Sequence, residues 1–181
     1  GWTRQQYVGR TVTTLMNSPK PTIAAVNGPA TGLGADLAIS CDFVMASSGA
    51  VFAWSYILRE IIPDGGGMYF LPRRIGLSKA KELIFTGRKV DAQEALAMGI
   101  IDRISDPDEL VSQSIAWAKE LSRGSEVALA LTKNIMNRSF ETPAEQIFNM
   151  GSQAQGICYT TAEHHTSVES FLARVPSKDV P

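Results

Sequence analysis

Residues 21–42 read PTIAAVNGPATGLGADLAISCD: a short apolar run, a turn rich in glycine and a run of helix-forming residues, in that order. Residues 22–26, after Pro21, are small or β-branched almost without interruption, the pattern of a strand covered on both faces. Asn27 and Gly28 end it. Gly28, Gly32 and Gly34 are expected to supply backbone angles closed to other residues and to let a ligand approach the main chain. From about Gly34 a short helix containing Asp36, Leu37, Ala38 and Ile39 is expected. The first N–H groups of such a helix have no partner inside it, and the helix dipole adds partial positive charge there, so the turn is a candidate anion or oxyanion site. A dinucleotide turn would need G-x-G-x-x-G, and the third residue after Gly34 is Leu37, which makes that reading poor.

The rest of the chain bounds what this site serves. With 181 residues, 44% apolar and 19% charged, it has the composition of a globular protein with a substantial core. Seventeen basic against eighteen acidic residues leave a charge of −1, which suggests neither nucleic acid nor an anionic membrane as a partner. No apolar run reaches the length of a membrane span, and residues 1–4, GWTR, do not resemble the start of a signal peptide. Cys41 and Cys158 lie far apart among apolar neighbours and are expected to be buried thiols rather than a disulfide, which fits a reducing, cytoplasmic setting. His164 and His165 have no thiol or carboxylate set at ligand spacing, so no metal is expected.

Periodicity organises the chain into two parts. A helix over 4–16 places Tyr7, Val8, Thr11, Val12, Leu15 and Met16 on one face. After the glycine turn, 42–46 and 50–53 read as strands, 54–64 as a loop and 65–71 as the start of a helix. Ser78 is placed to cap a helix that Gly87 closes, and Asp91 has Glu94 three positions on, a capping-box spacing. Residues 100–104 read as extended. Beyond Pro107 only helices are expected, over 108–121, 126–138, 143–159 and 162–174. The expectation is an α/β core over 1–106 and a helical region over 107–181.

With PDGGG at 63–67, LPRRIG at 71–76 and FTGRKVDAQEALAMGIIDRI at 85–104, the segment resembles the crotonase family of enoyl-CoA hydratases and isomerases, in one order from about Thr11 to Arg174. The resemblance implies a ββα spiral core with a C-terminal helical layer, the family's N-terminal part of the core being absent from this chain; a fragment is the expectation, with supply of that part by another chain or its loss as the alternatives. It also implies an acyl-CoA thioester substrate, with CoA carried by the substrate and no separate cofactor, and a homotrimer or hexamer. The helical region, with Lys133, Phe140, His164 and Arg174, would then serve assembly and CoA contact. The family polarises the thioester carbonyl with two backbone N–H groups. One of them falls on Leu33, between Gly32 and Gly34; losing one such donor costs about 100- to 1000-fold in rate.

Family hydratases use two glutamates, and those positions here carry Asp36 and Tyr56. A phenol with its ordinary pKa of about 10 is a weak substitute for a carboxylate that must deprotonate water. Asp64 stands where some family isomerases place their acid–base residue. It is expected to be buried against Ile61, Ile62 and Tyr69 and poised to take and return a proton; the alternative is a helix cap. Trp54 and Tyr56 are expected to line the acyl pocket, with Gly65 beside the substrate, and Arg73 and Arg74 are candidates for the CoA phosphates. The expected activity is a double-bond shift. Hydration is the second possibility, and a catalytically inactive binding or assembly protein the third.

Overall fold

The computed structural model describes residues 2–173. Arg174, a candidate CoA contact, lies outside them. The chain divides into two compact units, the first ending at Leu121 and the second starting at Ser122, so the helix that follows Pro107 belongs with the core rather than with the tail.

The first unit contains α1 (Trp2–Met16), β1 (Ile23–Val26), β2 (Pro29–Thr31), α2 (Leu33–Ser40), β3 (Phe43–Ser47), β4 (Val51–Ala53) and a 3-10 turn (Ser55–Arg59). It continues with α3 (Gly67–Ile75), α4 (Leu77–Thr86), β5 (Val90–Asp91), α5 (Ala92–Met98), β6 (Arg103–Ser105) and α6 (Leu110–Leu121). The strands form two short sheets, ordered β1-β3-β6 and β2-β4-β5. Among the described residues only the β4–β5 pair is antiparallel. Because β1 to β4 alternate between the sheets, each pass of the chain adds one strand to each, which is a spiral.

The apolar residues of the short strands meet those of α2, α3 and α4. Phe52, Trp54, Leu71, Leu83, Val90 and Ile100 have no exposed surface, and Ala35 and Ile39 of α2 join them. Full burial of each large aliphatic or phenylalanine side chain contributes about 1.5–3 kcal/mol. A smaller cluster of Met45, Leu110 and Trp117, with Ile23, Phe43 and Leu121 against it, seats α6 on the opposite face of the β1-β3-β6 sheet.

Several local expectations change. Residues 29–31 form a strand, and α2 begins at Leu33 rather than Gly34. Of the three glycines in the turn only Gly32 has a left-handed φ, at 55°. Residues 55–59 are helical, not loop. Ser78 lies inside α4, whose cap is Gly76. Asp91 does cap α5, its side chain accepting the Glu94 N–H at 2.9 Å. On α1, Val12 is buried while Tyr7 is exposed, so the buried stripe is narrower than the apolar one. Cys41 and Cys158 are thiols, half-buried rather than buried.

The second unit contains α7 (Glu126–Met136), α8 (Ala144–Tyr159) and α9 (Ala162–Leu172). Ser125 and Thr161 cap α7 and α9 with their side chains. None of the three helices has a fully buried residue, and Phe148, Ile157 and Phe171 are exposed.

Candidate functional site

Parallel pairing builds the site. Ala30 lies opposite Phe52 and Thr31 opposite Ala53, and the Gly32 N–H donates to the Ala53 carbonyl at 2.9 Å. The residues that follow β2 and β4 therefore leave the sheet side by side. After β2 comes Gly32, with φ 55° and ψ −123°, a backbone state that any Cβ would oppose. It turns the chain directly into α2. No side chain caps α2 at Gly32, so the amides of Leu33 and Gly34 begin a helix with neither a side-chain acceptor nor an intrahelical one. Both residues are exposed. Helix-start amides of this kind can donate to an anionic oxygen.

After β4 come Trp54, Ser55 and Tyr56, and two of these turn back onto α2. The Trp54 Nε1–H donates to Asp36 Oδ1 at 2.9 Å, and the Tyr56 hydroxyl donates to Asp36 Oδ2 at 2.6 Å. A third donor, the Gly65 N–H, reaches the same carboxyl. Asp36 is 0% exposed. Burial pushes its pKa up, the Tyr56 and Trp54 hydrogen bonds pull against that, the charge of Asp64 adds to the rise, and the Gly65 N–H opposes it. The Tyr56 phenol is pushed well above its ordinary range by burial first, then by its bond to Asp36 and by the charges of Asp36 and Asp64.

The 63–67 loop closes over this carboxyl, and glycine is what permits it. A Cβ on Gly65 would stand 2.6 Å from Asp36 Oδ2 and 2.7 Å from Leu33 Cδ1; on Gly67 it would stand 2.5 Å from Asp36 Oδ1. Main chain therefore packs directly on the acid group. Gly65 serves this contact and the hydrogen bond to Asp36.

Asp64 differs from its expected state. It is exposed, its N–H closes a tight turn onto the Ile62 carbonyl at 2.9 Å, and Ile61 and Ile62 are 56% and 63% exposed, so they do not bury it. Nor does it cap a helix, because α3 begins at Gly67 behind Gly66. Trp54, expected to line the acyl pocket, is wholly buried, and its indole N–H donates to Asp36. Tyr56 is half-buried, with its ring against Gly32.

Arg74 is committed elsewhere, donating to the carbonyls of Cys41 (2.8 Å), Asp42 (3.1 Å), Ile39 (3.4 Å) and Ile100 (3.4 Å), with Asp102 at 3.5 Å. The Arg73 guanidinium lies 3.5 Å over the Tyr69 ring. The bonds converging on Asp36 were not legible in the sequence, because contacts spanning 18 and 20 residues leave no local pattern. The pairing of β2 with β4 is the only signal that predicts them, and β2 itself reads as turn.

Two mostly parallel sheets, with a helix start that no side chain caps beside a buried, hydrogen-bonded acid–phenol pair, define an α/β protein. A model of the family described as "Enoyl-CoA hydratase/isomerase" matches residues 3–178. The short-chain-enoyl-CoA hydratase of Clostridium acetobutylicum is 35% identical over 155 residues, 86% of this chain and 59% of the relative. A Mycobacterium tuberculosis protein named "Probable enoyl-CoA hydratase EchA17" is 43% identical over 130 residues, 71% of this chain and 50% of the relative. The chain thus spans between half and three-fifths of the length of these curated relatives. Among solved structures, an enoyl-CoA hydratase/isomerase from Cupriavidus metallidurans superposes with a TM-score of 0.91 at 33% identity, covering 99% of this chain and 69% of that one. An enoyl-CoA hydratase from Bacillus anthracis gives 0.90 at 30% identity, covering 94% and 66%.

The chain belongs to the enoyl-CoA hydratase/isomerase, or crotonase, family of enzymes and has the crotonase fold. Among the described residues no helix is long and apolar enough to cross a membrane.

Proposed function

We propose that this chain forms the thioester-binding and proton-transfer part of an enzyme acting on enoyl-CoA, with addition of water across the double bond as its reaction. The observation that carries the reading is the hydrogen-bonded Asp36–Tyr56 pair. By the family resemblance the pair falls at the two positions where hydratases carry glutamates, and it lies beside the start of α2 at Leu33, which no side chain caps. The thioester oxygen accepts from that amide, and the charge that develops on it as the nucleophile adds is stabilised there. The names of the curated relatives, hydratases both, support water addition over the double-bond shift expected from Asp64, whose burial the structure does not bear out. CoA is part of the substrate and no separate cofactor is proposed; assembly as a homotrimer or hexamer is proposed on kinship.

A second reading keeps Asp64 as the base of an isomerase. The observation favouring it is that Asp64 is the exposed carboxyl of the loop that closes over Asp36, near enough for its charge to act on both Asp36 and Tyr56. Incubating the full-length protein with 2-enoyl-CoA and, separately, 3-enoyl-CoA tests both. Loss of the conjugated-thioester absorbance from the former is the expected result. Its appearance from the latter, without hydration, would establish the isomerase instead. CoA binding with no turnover of either would establish the inactive binding protein.

A further inference from the structure

We propose that the Tyr56 hydroxyl is the group that meets the reacting water or substrate and relays its proton to the buried Asp36 carboxyl. The inference rests on the reading of the chain as an enoyl-CoA enzyme and names the residue through which its acid–base chemistry passes.

Asp36 has no exposed surface. Its Oδ1 accepts the indole N–H of Trp54, a side chain that is itself wholly buried, and another donor is the main-chain N–H of buried Gly65. Neither an indole nor an amide N–H exchanges a proton readily at neutral pH. The remaining partner is Tyr56, whose hydroxyl is 2.6 Å from Oδ2 and whose side chain is only half-buried. Any proton that reaches Asp36 from the substrate side therefore comes through this phenol. The position of the ring supports the role: a Cβ on Gly32 would lie 3.7 Å from Tyr56 Cζ, so the phenol flanks the residue that precedes the Leu33 amide. Oxyanion donor and proton group then address neighbouring atoms of one acyl chain.

The chemistry is consistent with this placement. A lone phenol would have to become phenolate or accept a proton outright, and burial disfavours the charged form. A coupled transfer avoids both. Water loses a proton to Tyr56 Oη as the tyrosine's own proton passes to Asp36 Oδ2. The hydroxide bonds the β-carbon, and the electron pair of the double bond moves to the thioester oxygen at the Leu33 amide. Return of the Asp36 proton through Tyr56 to the α-carbon completes the addition, with no charge left on either side chain beyond that of the starting carboxylate. Burial makes Asp36 a stronger proton acceptor than an exposed aspartate, as this step needs. The titratable groups that bear on the pair are each other and Asp64.

The test is steady-state kinetics of the full-length protein on 2-enoyl-CoA and 3-enoyl-CoA, with Tyr56→Phe, Asp36→Asn and the double variant, alongside thermal unfolding. With the wild type active, the expectation is that Tyr56→Phe keeps its KM within about threefold and loses at least about 100-fold in kcat, the scale of acid–base catalysis. Asp36→Asn should lose a similar factor and the double variant little more, since the two act as one unit. An active wild type with a Tyr56→Phe kcat within about threefold of it would overturn the relay and leave the proposed function standing. A wild type that turns over neither substrate would sink the proposed function, and the relay with it. Fluorotyrosine at position 56 keeps the shape and lowers the phenol pKa, so it decides the matter even if Tyr56→Phe fails to fold. The relay predicts a displaced pH–rate profile, and an unmoved profile refutes it.

Discussion

Asp36 carries a thermodynamic signature as well as a chemical one. Burial holds its pKa above the ordinary 3.8, so the folded protein keeps a proton at pH values where the unfolded chain has released it. The stability from this group is fully present below 3.8 and is lost as pH rises through the folded value. Urea unfolding across the acid range should therefore show a falling contribution in the wild type that Asp36→Asn removes, and superimposable pH dependences would count against a raised Asp36. Gly65 offers a steric counterpart. A methyl group there would press on Asp36 Oδ2 and Leu33 Cδ1 together, and neither can yield without disturbing the site. Gly65→Ala is expected to cost about 1–3 kcal/mol in denaturant titration, the usual scale of overpacking. The motifs singled out Leu33, Asp36 and Tyr56, and the structure joins the last two by a hydrogen bond. The sequence misread Trp54, because burial of an indole against a carboxyl depends on which strands pair, not on which residues adjoin.

At the scale of elements, the start of α2 is where stability and chemistry separate most cleanly. Leu33 is the first helical residue, a position where proline is tolerated because its missing N–H would be unused by the helix. Leu33→Pro should leave thermal unfolding nearly unchanged yet lower kcat by about 100- to 1000-fold, as removal of one oxyanion donor does. Unaltered turnover would mean that the thioester oxygen is held elsewhere. The far end of α2 is fixed by Arg74 of α3, which gathers carbonyls from Ile39, Cys41 and Asp42 and so locks the two helices together. Arg74→Ala leaves those carbonyls without their charged donor and should destabilise by about 3 kcal/mol in chemical unfolding. Helices with chemical punctuation were readable in advance, as with the Asp91–Glu94 box of α5. The strand at Pro29–Thr31 was not, since three residues among glycines have no period to detect.

Across the whole molecule, the order of separated motifs was enough to place the fold, while the boundary between units was not readable. Helix α6 looks like its successors in sequence, yet Leu110 and Trp117 bury it against Met45 in the first unit. The second unit leaves Phe148 and Phe171 exposed. If these cover one another between copies, as kinship suggests, the full-length protein should sediment as a trimer or a multiple of it. Replacing both phenylalanines with glutamate should then yield monomers. A monomeric wild type would refute that assembly.

The parallel ladder between β2 and β4 acts as a ruler. Main-chain hydrogen bonds set how far the segment after one strand stands from the segment after the other, so the backbone positions of residues 33 and 56 are fixed relative to each other by the ladder rather than by side chains. Such a scaffold can exchange one chemistry for another by swapping residues at fixed addresses, without rebuilding its framework.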